Sequence, residues 1–292
     1  MWRQLAVEAD EHVAEAIADA LSDDGALSVS LQDAGDVPLF EPKPGETPIW
    51  ARTRVIGLFP EEADLDTVRR NLMGRFGQAV TACDVESLED RVWEREWLEH
   101  FRPVCFGRRL WVSPTGFAVD EPGAVVVTLD PGLAFGTGSH PTTALCLEWL
   151  DGQNLSGCAV IDYGCGSGIL AVAALVLGAA EAHAVDIDPQ ALLATEDNAA
   201  KNGVAERVRC AVPDQFGREV TADIVMANIL ANPLIDLAGE LSRRVRAGGW
   251  LVLSGILAEQ GADVAHAYAA GFEFAPVAQR EGWVRLVGRK RG

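Results

Sequence analysis

The stretch VIDYGCGSG, residues 160–168, runs from strand-forming apolar residues straight into glycine at every second position, Gly164, Gly166 and Gly168. Glycine loses more backbone freedom on folding than any other residue, so this spacing marks a place where bare backbone is required. Four neighbours could require it: a dinucleotide, a phosphate, another cofactor, or the next helix packed close.

Around this stretch the chain alternates between two periodicities. Strand-like runs are AVVVTLD (124–130), AVID (159–162), AHAVDID (182–188), RVRCAV (207–212), ADIVMANIL (222–230) and WLVLSGI (250–256). Helical patterns fall between the later ones: ILAVAALVLGA (169–179), PQALLATEDNAAKNG (189–203) and NPLIDLAGELSRRVRAGG (232–249). Pro189 sits in a first helical turn and Gly203 just past a last one, the usual asymmetry of helix ends. Continuous apolar strands between amphipathic helices predict a doubly wound α/β fold, its mostly parallel sheet covered on both faces. FEFAP (272–276) and WVRLVG (283–288) have no helix between them and predict an antiparallel hairpin at the sheet edge.

The first ninety residues read differently. A strand at 2–9 precedes a helix at 10–24, with Val13, Ile17 and Leu21 at helical spacing and Gly25 as its stop. Strands at 26–32 and 48–59 flank a connector from Pro38 to Pro48. A second helix carries Leu65, Val68, Leu72 and Phe76, stops at Gly77, and leads to a strand at 79–85. The order β-α-β-β-α-β predicts a small α+β, ferredoxin-like domain. In DRVWEREWLEHFRP (90–103), Trp93, Trp97 and Phe101 recur every fourth residue, as in a short helix packing its aromatic stripe on one or both domains. The domain reading is therefore 1–88 ferredoxin-like, 89–102 linker helix, and 103–292 the α/β unit.

Composition narrows the classes. Of 292 residues 49% are apolar and 23% charged, a globular balance. The apolar run from Ile169 to Ala180, 12 residues, is too short to span a bilayer, and MWRQLAVEADEH has no apolar secretory core. A cytoplasmic protein without a membrane partner, acting as a monomer, is expected. The six cysteines and five histidines show no metal-ligand spacing, so reduced thiols and no metal are expected. Net charge is −19, and residues 1–90 carry 19 acids against 7 bases. Phosphate backbones repel such a chain, which argues against a nucleic-acid partner. The acid either attracts a basic protein or serves solubility alone.

The glycine loop can then be tested against its ligands. A phosphate loop would need a lysine after its last glycine, and there is none. A dinucleotide loop would need glycine where Ile169 stands, so this loop is G-x-G-x-G. Asp186, 22 residues past Gly164, ends the next strand, where a ribose would lie and where a carboxylate could accept from both its hydroxyls. A nucleoside without a phosphate clamp fits best. Asp188, just before Pro189, reads as a helix N-cap.

At this point the chain from residue 159 to the terminal hairpin resembles the class I S-adenosylmethionine-dependent methyltransferases, whose first motif VIDYGCGSG matches. That resemblance implies a seven-stranded sheet with its last strand antiparallel. LDPGLAFGTGSHPTT (129–143), with WEREW (93–97), FGRRLWV (106–112) and NIL (228–230), further resembles the bacterial methyltransferases of large-subunit ribosomal protein eleven, over nearly the whole chain. The family resemblance implies S-adenosylmethionine as cofactor, with Thr143, Gly164, Asp186 and Asn228 at the cofactor positions. It also implies trimethylation of lysine side chains and of the N-terminal amine of that ribosomal protein, held by the N-terminal domain.

Some alternatives stay open. Many amino-group methyltransferases carry Asn-Pro-Pro-Tyr where this chain has Asn228-Ile229-Leu230-Ala231, so Asn228 is either an amine-orienting residue or a structural one at a strand end. The glycine-rich stretch is either a substrate clamp or a capped surface loop. His140 within it is either a base or a cap, and no motif names a general base. The rival functions are methylation of RNA or a small molecule, and nucleoside binding without catalysis.

Overall fold

The computed structural model describes residues 2–35, 49–88, 102–130 and 140–292. The chain divides into two compact units, residues 1–93 and 94–292. The linker helix expected at 89–102 lies outside the described residues except for Arg102, and so does the whole Pro38–Pro48 connector.

The first unit runs β1 (Trp2–Asp10), α1 (Glu11–Asp23), β2 (Ser28–Asp33), β3 (Arg52–Pro60), α2 (Leu65–Phe76) and β4 (Val80–Leu88). Its strands pair antiparallel in the order β2-β3-β1-β4, the ferredoxin-like arrangement. Asp10 starts α1 by accepting the His12 amide at 3.3 Å, and Asp64 starts α2 by accepting that of Thr67 at 3.1 Å. Ala14, Ile17 and Leu21 of α1 and Leu65 and Leu72 of α2 bury against Leu5, Val7, Val55 and Phe59. Each of these leucine, isoleucine, valine and phenylalanine side chains contributes roughly 1.5–3 kcal/mol when fully buried.

The second unit opens with β5 (Val104–Phe106), β6 (Leu110–Ser113) and β7 (Val125–Thr128), which form their own three-stranded sheet. The expectation that 124–130 joins the main sheet is thus corrected. Its apolar run foretold a strand, but β6 claims it as a parallel partner through Leu110–Val125 and Val112–Val127, a choice local pattern does not encode.

The main sheet holds β8 (Ala159–Tyr163), β9 (Glu181–Val185), β10 (Val208–Ala211), β11 (Ala222–Asn228), β12 (Val245–Leu257), β13 (Phe272–Phe274), β14 (Ala278–Arg280) and β15 (Trp283–Lys290). Seven strands follow the path β10-β9-β8-β11-β12-β15-β13, and the short β14 adds an eighth by pairing with β15. Neighbours from β10 to β12 are parallel, whereas β15 is antiparallel to β12 and β13. Its helices are α3 (Pro141–Asp151), α4 (Ile169–Val176), α5 (Pro189–Lys201), α6 (Ala231–Asp236), α7 (Ala238–Arg244) and α8 (Gly261–Tyr268).

Alternate strand residues face opposite layers. Val160, Ile224, Met226 and Val252 join a core with α3 and α4, while Ile161, Val225, Leu251 and Leu253 join one with Leu234, Leu241 and Tyr268. The single helix read over 232–249 is instead α6, α7 and the entry to β12. A Cβ on Gly249, within β12, would lie 2.7 Å from the Asp223 carbonyl oxygen, so this glycine lets β12 close on β11.

Candidate active site

The chain leaves β8 toward β9 and β10 on one side and returns through β11 and β12 on the other. The carboxyl ends of β8 and β11 therefore flank the switch point where open α/β sheets bind ligands.

At that point Gly164, Gly166 and Gly168 have φ of 78°, 53° and 74°, conformations that L side chains rarely adopt. Part of the demand for glycine comes from the protein itself. A Cβ on Gly164 would lie 2.3 Å from Ile229 Cγ2, and one on Gly168 would lie 2.5 Å from Thr195 Cγ2. Packing within the protein thus accounts for two of the three, though not packing of the next helix: Ile229 follows β11 and Thr195 lies on α5, whereas the helix after the loop is α4. The loop is held by the Gly164 and Cys165 amides, both donating to the Val185 carbonyl at 2.7 and 3.1 Å.

Asp186 follows β9 directly. Its Oδ2 accepts the Gly166 N–H at 2.9 Å and its Oδ1 accepts the Asp188 N–H at 3.0 Å, so one carboxylate braces both loops. Asp188 caps α5 through the Gln190 amide at 2.9 Å, in agreement with its reading as a cap. Between them Ile187 is 85% exposed, an apolar side chain at the rim that motif matching passes over.

Thr143 is buried in the first turns of α3, and its hydroxyl accepts from Asn228 Nδ2 at 3.2 Å. Asn228 Oδ1 is buried with no hydrogen-bond partner among the described residues. The four residues matched to the family thus form a chain of neighbours: Thr143 on Asn228, Ile229 on Gly164, and Gly164 on Val185 next to Asp186. His140 caps α3: its Nδ1 faces the Thr142 hydroxyl at 2.7 Å and accepts the Thr142 amide at 3.4 Å. Burial holds its pKa below the usual histidine value, and the Trp283 ring stands edge-on at 5.0 Å. The glycine-rich segment before it, residues 131–139, lies outside the described residues.

Asp162 is the group that sequence reading missed, although it stands two residues before the glycines. It is 1% exposed; Oδ2 accepts the Ala171 N–H at 3.1 Å, and Oδ1 has no partner among the described residues. Burial, reinforced by the nearby Asp186 charge and opposed by the Ala171 bond, raises its pKa from 3.8 to about 7. The folded chain then keeps a proton that the unfolded chain has lost. Its contribution to stability is complete below pH 3.8 and is lost as pH rises through about 7. Urea unfolding from pH 4.5 to 8 should show Asp162→Asn losing less stability than wild type, by roughly 3 kcal/mol. Superimposable pH profiles would refute the titration.

A switch-point glycine loop in a sheet of this strand order, with one antiparallel strand, defines a class I S-adenosylmethionine-dependent methyltransferase. The family model described as ribosomal protein L11 methyltransferase (PrmA) matches residues 1–291, and the chain belongs to that family. A ribosomal protein L11 methyltransferase of Methylococcus capsulatus is 62% identical over 293 residues, covering 100% of both chains. One from Pseudomonas savastanoi pv. phaseolicola is 50% identical over 291 residues, 99% of each. The crystal structure of a ribosomal protein L11 methylase from Lactobacillus delbrueckii subsp. bulgaricus superposes with a TM-score of 0.59 at 30% identity, over 66% of this chain and 100% of that one. Among the described residues no helix is long and apolar enough to cross a membrane.

Proposed function

We propose that the chain transfers methyl groups from S-adenosylmethionine to amino groups of ribosomal protein L11, carrying lysine side chains and the N-terminal amine to the trimethyl state. The observation that carries the reading is the Asn228 amide, its nitrogen engaged by Thr143 and its buried oxygen left as an acceptor beside the glycine loop.

The residues fit the cofactor. A cationic nucleoside without phosphates calls for acceptors rather than a lysine clamp, and the site offers Asp186 and the Asp162 and Asn228 oxygens that have no partner among the described residues. When bound, S-adenosylmethionine supplies a methyl group on a sulfonium centre. Thr143, Gly164, Asp186 and Asn228 hold it, with Asp186 taking the ribose hydroxyls on the lone pairs its two backbone bonds leave. Asn228 Oδ1 accepts an N–H of the neutral amine and turns the nitrogen lone pair toward the methyl carbon. Positioning supplies most of the acceleration in such an in-line displacement.

No side chain is assigned as a base, since His140 Nδ1 is committed to the helix cap. The amine must arrive neutral, which for a lysine of pKa ~10.4 costs about 4 kcal/mol at pH 7.5 and for an N-terminal amine under about 1. Burial of the lysine offsets part of the difference.

Residues 1–88 serve as the substrate-recognition domain, 89–102 as the link, and 103–292 as the catalytic domain, in a cytoplasmic monomer that binds no nucleic acid directly. Support for steering comes from α1, where Glu11, Glu15, Asp19 and Asp23 are all exposed and no lysine or arginine intervenes. Incubation with labelled cofactor and purified L11, followed by mass spectrometry, should place methyl groups on L11 amines. Raising the ionic strength from 50 to 300 mM should slow the reaction several-fold, and reversing those four acids should remove most of that dependence. Methyl groups on RNA, or none on L11, would overturn the substrate; a rate indifferent to salt and to reversal would overturn the steering.

A further inference from the structure

Helix α5 turns an unusual face toward the glycine loop. Thr195 is fully buried and Asn198 is 7% exposed, on the same face at a spacing of three residues. Neither residue type favours a helix interior, and apolar side chains would fill the same volume without polar groups to satisfy. Their hydrogen bonds explain their presence. Thr195 Oγ1 donates to the Gly166 carbonyl at 3.2 Å and stands 3.4 Å from Cys165 Sγ. Asn198 Nδ2 donates to the Ser167 carbonyl at 2.9 Å.

These two bonds set the direction of the loop amides. In a trans peptide the C=O and the following N–H point opposite ways. With the Gly166 carbonyl drawn onto Thr195, the Ser167 N–H is turned to the side of the loop away from α5. With the Ser167 carbonyl drawn onto Asn198, the Gly168 N–H turns back to close on the Cys165 carbonyl at 2.8 Å. Asp186 holds the Gly166 N–H from the other direction. Three consecutive peptide units are thus fixed from outside the loop, two of them by α5.

We propose that Thr195 and Asn198 are positioning residues for the cofactor: they anchor the Gly166 and Ser167 carbonyls and so hold the glycine loop in the shape that seats S-adenosylmethionine. The inference rests on the reading that this loop seats the cofactor. Neither residue touches the reacting atoms, so binding of the cofactor should suffer and the methyl-transfer step should not.

The test compares Thr195→Val, which keeps the shape against Gly168 and removes the hydroxyl, with Thr195→Ser, which keeps the hydroxyl. Calorimetry with S-adenosylhomocysteine should show affinity about tenfold weaker in the valine variant, the effect of one lost hydrogen bond. The serine variant should stay within about twofold of wild type. KM for S-adenosylmethionine should rise in step with Kd, while kcat and KM for L11 stay within about twofold. In the ligand-free protein, amide exchange should quicken at residues 164–168 and not in β8 or β11, a local signature that general destabilisation would not give.

Wild-type affinity in Thr195→Val would overturn the proposal, as would equal losses in the serine and valine variants, which would mean packing alone. Accelerated exchange throughout the unit would reduce both residues to structural ones. If the wild-type chain itself binds no S-adenosylhomocysteine, the failure lies with the reading of the loop. Should Thr195→Val fold poorly, Asn198→Ser carries the same comparison through the second bond.

Discussion

An Asp186→Ala protein should bind S-adenosylmethionine and S-adenosylhomocysteine roughly a hundredfold more weakly than wild type. Both carboxylate oxygens already accept backbone amides, from Gly166 at 2.9 Å and Asp188 at 3.0 Å. Hydrogen bonds to a charged group contribute roughly 1.5–3 kcal/mol each, so losing either one loosens a loop that the cofactor needs. Removal also takes away the lone pairs proposed for the ribose. Asp186→Asn separates the two effects: it keeps one acceptor oxygen but sets an NH2 group against a backbone N–H. Its affinity should fall between those of the other two proteins. Calorimetry on all three, each checked for an unchanged melting temperature, decides the matter. Wild-type affinity in the alanine variant would remove Asp186 from the cofactor site, and an asparagine variant no better than alanine would mean that both oxygens are indispensable.

That Asp186 would stand beside the glycine loop was legible in the sequence from its position. An acid ending the strand after a glycine loop is specified by local order, since parallel neighbours bring successive strand ends together. The N-terminal unit was legible for the same reason: its helices carry apolar residues at helical spacing and its stops are Gly25 and Gly77. What stayed hidden depends on distant partners. The apolar run at 124–130 reads equally well as a strand of either sheet, and only pairing with β6 decides. The helical pattern after residue 232 ends at Arg244, and the chain from Val245 is β12, whose Gly249 meets the carbonyl of Asp223, 26 positions earlier in the chain. Thr195 and Asn198 look like ordinary surface polar residues until α5 is laid against the loop. Asp162, read as the last residue of a strand, gives no sign in sequence that one of its oxygens is buried with no partner among the described residues.

Gly164→Ala should cost the catalytic unit roughly 3 kcal/mol and lower kcat by about a hundredfold, and the reason is internal packing before any ligand. A left-handed alanine costs about 1–2 kcal/mol by itself. The larger part is collision, because the new methyl would sit 2.3 Å from Ile229 Cγ2. Ile229 has little room to retreat: a Cβ on Gly255 would lie 2.3 Å from the Ile229 carbonyl oxygen, so its backbone lies close against one glycine of φ 83° while its side chain meets the other, of φ 78°. Displacement must therefore pass to Asn228, whose amide is tied to Thr143, and a shift of about 1 Å in an orienting group can cost 10²-fold in rate. Ile229→Ala, which makes room for the methyl, tests this directly. Alone it should cost about 1–2 kcal/mol for a half-buried side chain. Combined with Gly164→Ala it should cost less than the sum of the two single variants, with a coupling of about 1–3 kcal/mol and partial recovery of kcat. Strict additivity, measured by urea unfolding of the four proteins, would show that Ile229 is not what Gly164 makes room for. The absence of a side chain there would then be owed to the cofactor's own approach.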